Sequence, residues 1–143
     1  MIRDYKKIKA WQVADKLAVK VYETTRSYPK DEIYGLTSQI RRAAVSIAAN
    51  IAEGSGRSTQ KDYLHFLTIA RSSAREVEYY IDLSYKLKYI GELRLRILTE
   101  LCSETHRVLF GLIQAVTNDR VQSLACIVYS LLSIVSTLGG SYV

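Results

Sequence analysis

The sequence predicts an all-α protein, an antiparallel up-down four-helix bundle with an extra helix at the C-terminus. Three observations lead to this fold class. The chain of 143 residues contains one Pro and seven Gly, and apolar residues make up 48% of it. Apolar residues recur at spacings of three and four along most of the chain, which is the period of an amphipathic helix. No segment shows the alternation of a strand, and a chain of this length forms one domain.

The first predicted helix covers residues 7–27. It ends before Pro29, because the residue preceding a proline is disfavoured in the helical region. Asp31 is the predicted N-cap of the second helix, since its carboxylate can accept hydrogen bonds from the free N–H groups of a first turn. The residues expected on the buried side of the first helix are Ala10, Trp11, Ala14, Leu17, Ala18, Val21, Thr25 and Tyr28.

The second predicted helix ends at residues 54–56, where we expect Gly54 to adopt the left-handed conformation that closes a helix. Its buried stripe consists of Ile33, Leu36, Ile40, Ala44, Ile47 and Ile51. The other faces carry small, polar and apolar side chains instead of a run of Lys and Glu, and such a helix packs on more than one neighbour. The predicted interface with other copies of the chain consists of Ser38, Gln39, Val45, Ser46, Ala49, Asn50 and Glu53.

Four of these side chains, Gln39, Ser46, Asn50 and Glu53, form a polar stripe that has two interpretations. The stripe could bind a ligand or partner, or it could form hydrogen bonds between helices of one subunit and fix their register. A buried polar group without a partner costs roughly 1–3 kcal/mol. We therefore favour the structural role.

The third predicted helix covers residues 60–89, with Ser58 or Thr59 as its N-cap and Asp62 near its positive end. Gly91 separates it from a fourth helix over residues 92–116, and short loops between four helices give an antiparallel bundle. The inward residues of the third helix are Tyr63, Phe66, Leu67, Ala70, Ala74, Val77, Ile81 and Ser84. Those of the fourth are Leu98, Leu101, Thr105, Val108 and Leu112.

Residues 1–116 thus form the predicted bundle, and residues 117–143 form a separate apolar tail. Arg120 is the last charged residue of the chain. The apolar segment that follows is long enough to span a thin hydrocarbon core, but several Ser, Thr and Gln side chains interrupt it. We therefore expect a fifth helix that packs on the bundle or on a neighbouring subunit, in preference to a poorly ordered tail or a membrane contact.

The sequence contains no pattern that indicates catalysis. His65 and His106 lie on different helices, and neither has the Glu three residues earlier that di-iron bundles use. No glycine-rich phosphate-binding motif is present. We expect no enzymatic activity, no metal and no cofactor. Because Cys102 and Cys126 are isolated and no signal peptide precedes the first helix, we expect a cytoplasmic protein without a structural disulfide.

The basic residues give the best indication of function. The net charge is +6 and the isoelectric point is about 9.3, a balance that favours polyanions. Phosphates attract Lys and Arg whatever the base sequence. In a single subunit a solvated basic face is the simpler interpretation, whereas in a closed ring identical patches would act together. The predicted nucleic-acid-binding residues are Lys6, Lys7, Lys9, Arg41, Arg42, Arg57 and Lys61.

A specific combination of residues between positions 7 and 116 matches a known family. It consists of Trp11, Tyr22, Tyr34-Gly35-Leu36, Gln39, Arg41-Arg42-Ala43-Ala44, Ser46-Ile47, Asn50-Ile51-Ala52-Glu53-Gly54 and Phe66. With these residues the chain resembles the bacterial four-helix-bundle proteins known as 23S ribosomal RNA intervening-sequence proteins. Members of that family commonly have Pro after the Ser-Ile pair, where this chain has Ala48.

The resemblance implies an antiparallel four-helix bundle that assembles into a ring-shaped homopentamer. The family is similar in fold to the accessory variability determinant of diversity-generating retroelements, a basic pentameric barrel that binds nucleic acid and a reverse transcriptase. From this resemblance we expect a homo-oligomer that binds RNA or DNA as an accessory factor, with a reverse transcriptase as a candidate partner and no membrane partner. The alternative is a protein-assembly scaffold that does not bind nucleic acid.

Overall fold

The computed structural model describes the backbone of residues 3–138 and their side chains except those of Arg120 and residues 132–138. Four α-helices account for most of this range, and short 3-10 turns at Tyr5–Lys7 and Lys30–Tyr34 precede the first two. The helices are α1 (Lys9–Thr25), α2 (Leu36–Ser55), α3 (Gln60–Lys86) and α4 (Glu92–Leu138). The described residues contain no strand, and the predicted all-α fold class is confirmed.

The four helices form a ring in chain order. Contacts join α1 to α2, α2 to α3, α3 to α4 and α4 back to α1, which is the arrangement of an up-down bundle. The predicted stripes of α1 and α3 are buried, apart from Trp11 and Phe66, which are half-buried. In α4 the predicted Leu98, Leu101 and Thr105 are buried. Leu109, which was not predicted, is also fully buried, whereas the predicted Val108 and Leu112 are half-buried. Ile33 was expected in the core but is 56% exposed, because it lies in the 3-10 turn before α2.

The start of α2 differs from the sequence prediction. Residues Lys30–Tyr34 form a 3-10 turn, so α2 begins at Leu36 and Asp31 is not its cap. The longer side chain of Glu32 takes this role, since its Oε2 accepts a 2.8 Å hydrogen bond from the Leu36 N–H. The Tyr89 hydroxyl donates a 2.8 Å bond to the other carboxylate oxygen. A Cβ at Gly35 would lie 2.5 Å from Glu32 Oε2, so a side chain there would displace the cap.

The predicted left-handed conformation of Gly54 is wrong. Gly54 is buried inside α2, which ends at Ser55, and Gly56 after it has a φ of −83°. The lack of a side chain at Gly54 serves close helix packing instead. A Cβ there would lie 2.9 Å from both Phe66 Cβ and Tyr63 Cδ2 of α3. Glycine is therefore required where the two helices approach each other.

Both ends of α3 are set by local interactions. The Thr59 hydroxyl oxygen accepts a 3.1 Å hydrogen bond from the Asp62 N–H, which selects Thr59 between the two predicted caps. The helix ends at Lys86, three residues earlier than predicted, because Lys88 adopts a φ of 60°. The Tyr89 N–H then donates a 2.9 Å bond to the Ser84 carbonyl, the pattern of a left-handed helix terminus.

The helix α4 continues without a break far beyond the predicted boundary at residue 116. Its 47 residues extend to Leu138, because no proline interrupts it and Gly111 is accommodated inside the helix. The expected fifth helix is thus continuous with α4. Val116 is its last buried residue among those whose side chains are described, and every residue from 121 to 131 is exposed. This segment, which we call the α4 extension (residues 117–138), therefore does not pack on the bundle where its side chains are described.

The direction of the helices determines the end of the bundle from which the α4 extension emerges. Because α2 and α4 run in the same direction in an up-down bundle, α4 leaves the bundle at the end where α2 finishes and the N-terminal segment lies.

Among the helices of residues 3–138, none is both long enough and apolar enough to cross a membrane.

Candidate nucleic-acid interface

One end of the bundle collects the N-terminal segment, the end of α2 and the start of α3. The Arg3 N–H donates a 3.3 Å hydrogen bond to the Ser55 carbonyl, and the Arg3 guanidinium lies 4.6 Å from the centre of the Tyr63 ring. The Gln12 side chain of α1 donates a 2.8 Å bond to the Lys6 carbonyl. These contacts hold the N-terminal 3-10 turn beside the loop that joins α2 to α3.

This arrangement brings together five of the seven predicted nucleic-acid-binding residues. We call this region the basic end, and it consists of Arg3, Lys6, Lys7, Lys9, Arg57 and Lys61. The five predicted side chains are all exposed. They come from two segments that are about fifty residues apart in the sequence and meet only because α1 and α2 form an antiparallel pair.

Three lysines of the basic end are free to bind an anion. Within the described residues, Lys6, Lys9 and Lys61 form no ion pair. Lys7 lies 3.9 Å from an Asp4 carboxylate oxygen, a loose and exposed pair. Exposed pairs of this kind contribute little to stability. A phosphate can therefore approach these lysines without displacing a strong partner.

Arg57 has closer partners than the lysines. Its guanidinium pairs with the Glu53 carboxylate one helical turn earlier and lies 4.6 Å from the centre of the Phe66 ring. These contacts fix the guanidinium beside the loop that joins α2 to α3. Arg57 therefore gives the basic end an oriented cation, although part of its charge is offset by Glu53.

The structure does not bring Arg41 and Arg42 to the basic end. Arg41 is half-buried, its Nε donates a 2.7 Å bond to Thr25 Oγ1, and its guanidinium lies 4.7 Å from the centre of the Tyr22 ring. These contacts link the start of α2 to the end of α1, at the opposite end of the bundle. Arg42 is exposed on the outer face of α2. The sequence alone could not show that Arg41 is half-buried and Arg42 exposed, because this depends on how each side chain is oriented relative to α1.

The polar stripe of α2 makes its contacts within the chain. Ser46 Oγ lies 2.9 Å from Ser73 Oγ of α3, which is the hydrogen bond between helices that the structural interpretation expects. Asn50 instead donates bonds to the Ser46 carbonyl and hydroxyl, both within α2. Gln39 and Glu53 are exposed. The stripe therefore divides into a part that contacts α3 and a part that faces outward.

An exposed apolar strip crosses α1 and α2. Val45 of α2 lines a shallow groove together with Val19 and Tyr22 of α1, and all three side chains are more than 40% exposed. Ala49 continues the exposed face of α2, and Ser38 is half-buried at its margin. The predicted interface residues Val45 and Ala49 are thus accessible to another copy of the chain.

Sequence reasoning missed a second group of basic residues. Arg71 and Arg75 of α3 and Arg107 of α4 line one open groove, together with the half-buried His106. Each lies on an ordinary helical surface, and only the pairing of α3 with α4 brings the two surfaces together. The i, i+4 spacing of Arg71 and Arg75 was the one feature of the sequence that could have indicated a basic surface on this side of α3.

Comparison with known proteins identifies the family. A family model described as 23S rRNA-intervening sequence protein matches residues 6–111. The fold is similar to a solved structure of a protein of unknown function from the S23 ribosomal protein family of Bacteroides thetaiotaomicron, with a TM-score of 0.68 and 24% identity over 73% of this chain and 95% of that chain. No curated protein matches the chain. The match to the family model covers most of the bundle, and the chain therefore belongs to the 23S rRNA-intervening sequence protein family.

Proposed function

We propose that this protein is a non-enzymatic homo-oligomer that binds the phosphate backbone of nucleic acid through its basic end. The observation that carries the proposal is the meeting of two distant basic segments at one end of the bundle, where Lys6, Lys9 and Lys61 are exposed and form no ion pair within the described residues. Contacts of this kind neutralise phosphates and release counterions, and they do not read base sequence.

Self-association would make such weak contacts effective. Identical basic ends held in one assembly engage one polyanion together, and the second contact then forms at a high effective concentration. A closed ring, which forms when the same head-to-tail contact repeats until it closes, would hold several basic ends in this way. The ring of five subunits is the arrangement that the family resemblance leads us to propose.

The α4 extension supports self-association. Val121, Leu124, Val128 and Leu131 are all exposed and recur at alternating spacings of three and four. Valine and leucine alternating in a seven-residue repeat is the pattern of helices that wind around each other. An isolated helix would expose this apolar stripe to water, which is unfavourable. We therefore propose that α4 extensions from different copies pack together.

The environment of Cys102 indicates a structural role for this thiol. Both cysteines are free, and Cys102 is buried against α3, where burial raises its thiol pKa to about 12. A thiol with so high a pKa remains protonated at neutral pH and is a poor nucleophile. We propose that Cys102 serves packing.

The experiment that tests nucleic-acid binding is a titration of the purified full chain against a labelled single-stranded RNA and a labelled duplex DNA. Fluorescence anisotropy at about 50 mM and about 200 mM salt measures the affinity at each concentration. We expect binding that weakens steeply with salt. Absence of binding at the lower salt concentration would rule out the proposal.

A second candidate function is a protein-assembly scaffold. The exposed apolar strip formed by Val19, Tyr22 and Val45 favours it, because such a surface also suits a protein partner, of which a reverse transcriptase is one class. Affinity capture from a native lysate with and without nuclease distinguishes the two functions. A partner that is captured equally well after nuclease treatment supports the scaffold.

A further inference from the structure

The side of the bundle between α3 and α4 contains an open groove with a volume of about 810 Å³. It is separate from the basic end, since Arg71 lies ten residues beyond Lys61 on α3, about 15 Å along the helix. Two successive turns of each helix face the groove. Its principal lining residues are Arg71, Arg75, Glu78, His106, Arg107 and Phe110.

The charges in this groove do not cancel. Arg75 Nη1 donates a 2.8 Å bond to Glu78 Oε2, so Glu78 offsets the charge of Arg75. Arg71 and Arg107 are exposed, and among the described residues neither forms an ion pair or a hydrogen bond. Two guanidinium groups from facing helices are therefore available to an anion in the same groove.

His106 places a buried polar atom at the wall of the groove. Its Nε2 atom is buried, and among the described residues it faces the Glu78 carboxylate, whose Oε2 lies 3.3 Å away without satisfying hydrogen-bond geometry. Buried polar atoms without partners are uncommon in folded proteins. Burial lowers the pKa of His106, Arg75 adds to this effect and Glu78 opposes it. In its neutral form the imidazole offers one donor and one acceptor.

We propose that the groove between α3 and α4 binds a phosphate group, carried either by a soluble phosphate ester or by a nucleic-acid backbone, between Arg71 and Arg107. Guanidinium groups suit this ligand because their planar donors can bind two phosphate oxygens at once. The Phe110 side chain is 56% exposed on the same groove. Its ring offers a face on which the base of a nucleotide can stack.

This site is independent of the basic end and does not require the function proposed above. The groove is formed within one subunit, so a small phosphate ester can occupy it without an oligomer. Loss of nucleic-acid binding at the lysines of the basic end would leave the groove and its two free arginines unchanged.

The test is a titration followed by the imidazole resonances of the two histidines in NMR spectra of the full chain. The probes are inorganic phosphate, adenosine monophosphate and a thymidine decanucleotide, each added at constant ionic strength. His106 should shift with a saturable dependence on the probe. His65 lies outside the groove, and its ring is 5.6 Å from that of Phe66 beside Arg57 of the basic end. A shift of His65 therefore reports phosphate at the basic end, and a shift of His106 reports phosphate in the groove.

Two matched variants decide whether the shift reports this site. Arg107→Gln removes a groove guanidinium and should weaken binding about tenfold, a loss typical of one charged hydrogen bond. Arg96→Gln makes the same change at an exposed position of α4 outside the groove and should leave binding unchanged. Circular dichroism confirms that both variants keep the helical fold.

The probes also distinguish the two sources of phosphate. A His106 shift with adenosine monophosphate that Arg107→Gln weakens identifies a soluble phosphate ester as sufficient. A shift with the decanucleotide alone that is weakened in the same way identifies a phosphodiester backbone. No His106 shift with any probe, or equal weakening by Arg96→Gln and Arg107→Gln, would overturn the proposal. The double variant Lys6→Gln/Lys61→Gln should leave the adenosine monophosphate result unchanged.

Discussion

The hydroxyl oxygens of Ser46 and Ser73 lie 2.9 Å apart, in a hydrogen bond that joins α2 to α3. Ser73 is buried, and Ser46 also accepts a 3.0 Å bond from Asn50. The pair thus fixes the register of α2 against α3. It also explains why part of the polar stripe of α2 faces its own subunit.

We predict that Ser46 and Ser73 are energetically coupled. Ser46→Ala and Ser73→Ala should each destabilise the protein by about 1 kcal/mol, because each leaves the other hydroxyl without this partner. The double variant should lose less than the sum of the single losses. Urea unfolding of the four proteins measures the coupling, and strictly additive losses would contradict the role assigned to the pair.

A second prediction concerns the close contact at Gly54. Gly54→Ala places a methyl group 2.9 Å from carbons of Tyr63 and Phe66 and should destabilise the protein by roughly 1–3 kcal/mol, since packed helices must move apart. Gly111→Ala is the matched control in α4, where a Cβ meets no atom within 4 Å. This control should be neutral or stabilising by up to about 1 kcal/mol. Equal thermal stability of the two variants would refute the packing argument.

A third prediction follows from the cap at the start of α2. Hydrogen bonds from the Leu36 N–H and the Tyr89 hydroxyl lower the pKa of the Glu32 carboxyl. A lowered folded-state pKa stabilises the protein above the unfolded-state value of about 4.3, and this contribution is lost as the pH falls through the folded-state pKa. Glu32→Gln should therefore be less stable than wild type at pH 7, and the difference should shrink towards pH 3.

The control for the cap is Asp31→Asn, at the exposed neighbouring position that does not cap the helix. Chemical unfolding across this pH range compares the two variants with wild type. If Asp31→Asn shows the larger and pH-dependent loss, the assignment of the cap to Glu32 is incorrect.

A fourth prediction concerns self-association through the α4 extension. Leu124→Glu introduces a charge into the exposed repeat and should shift the assembly towards monomers, because the stripe would no longer be buried without desolvating a carboxylate. Ser123→Glu adds the same charge at an adjacent exposed position outside the repeat and should have a much smaller effect. Light scattering on the full chain measures the mass of each protein. A wild-type monomer at micromolar concentration would contradict the assembly.

The sequence predicts the helices better than the contacts between them. The stripes of α1 and α3 depend on spacing along one helix, and they are confirmed apart from Trp11 and Phe66, which are half-buried. The structure selects Thr59 from the two predicted caps of α3. The cap of α2 and the role of Gly54 depend on how α3 and the 3-10 turn approach α2. Residue preferences therefore assigned the cap to Asp31 instead of Glu32 and a left-handed conformation to Gly54.

The candidate sites also depend on contacts between helices, which spacing within one helix does not reveal. The N-terminal lysines and Arg57, which were predicted to bind nucleic acid, are exposed, and their shared position at one end arises from the antiparallel pairing of α1 with α2. The groove that contains Arg71 and Arg107 was missed because α3 and α4 each contribute one side of it. Spacing within one helix contains no information about the residue that faces it on the next.

The most direct test of the central claim compares two double variants in the anisotropy titration. Lys6→Gln/Lys61→Gln removes two unpaired cations of the basic end, and Lys16→Gln/Lys30→Gln removes two exposed lysines elsewhere. Both lower the net charge equally. We expect the first to weaken nucleic-acid binding and to reduce the salt slope by about 0.7–0.9 per lost phosphate contact, and the second to leave both nearly unchanged. Equal effects from the two variants would show that net charge alone attracts the polyanion and would contradict a binding site at the basic end.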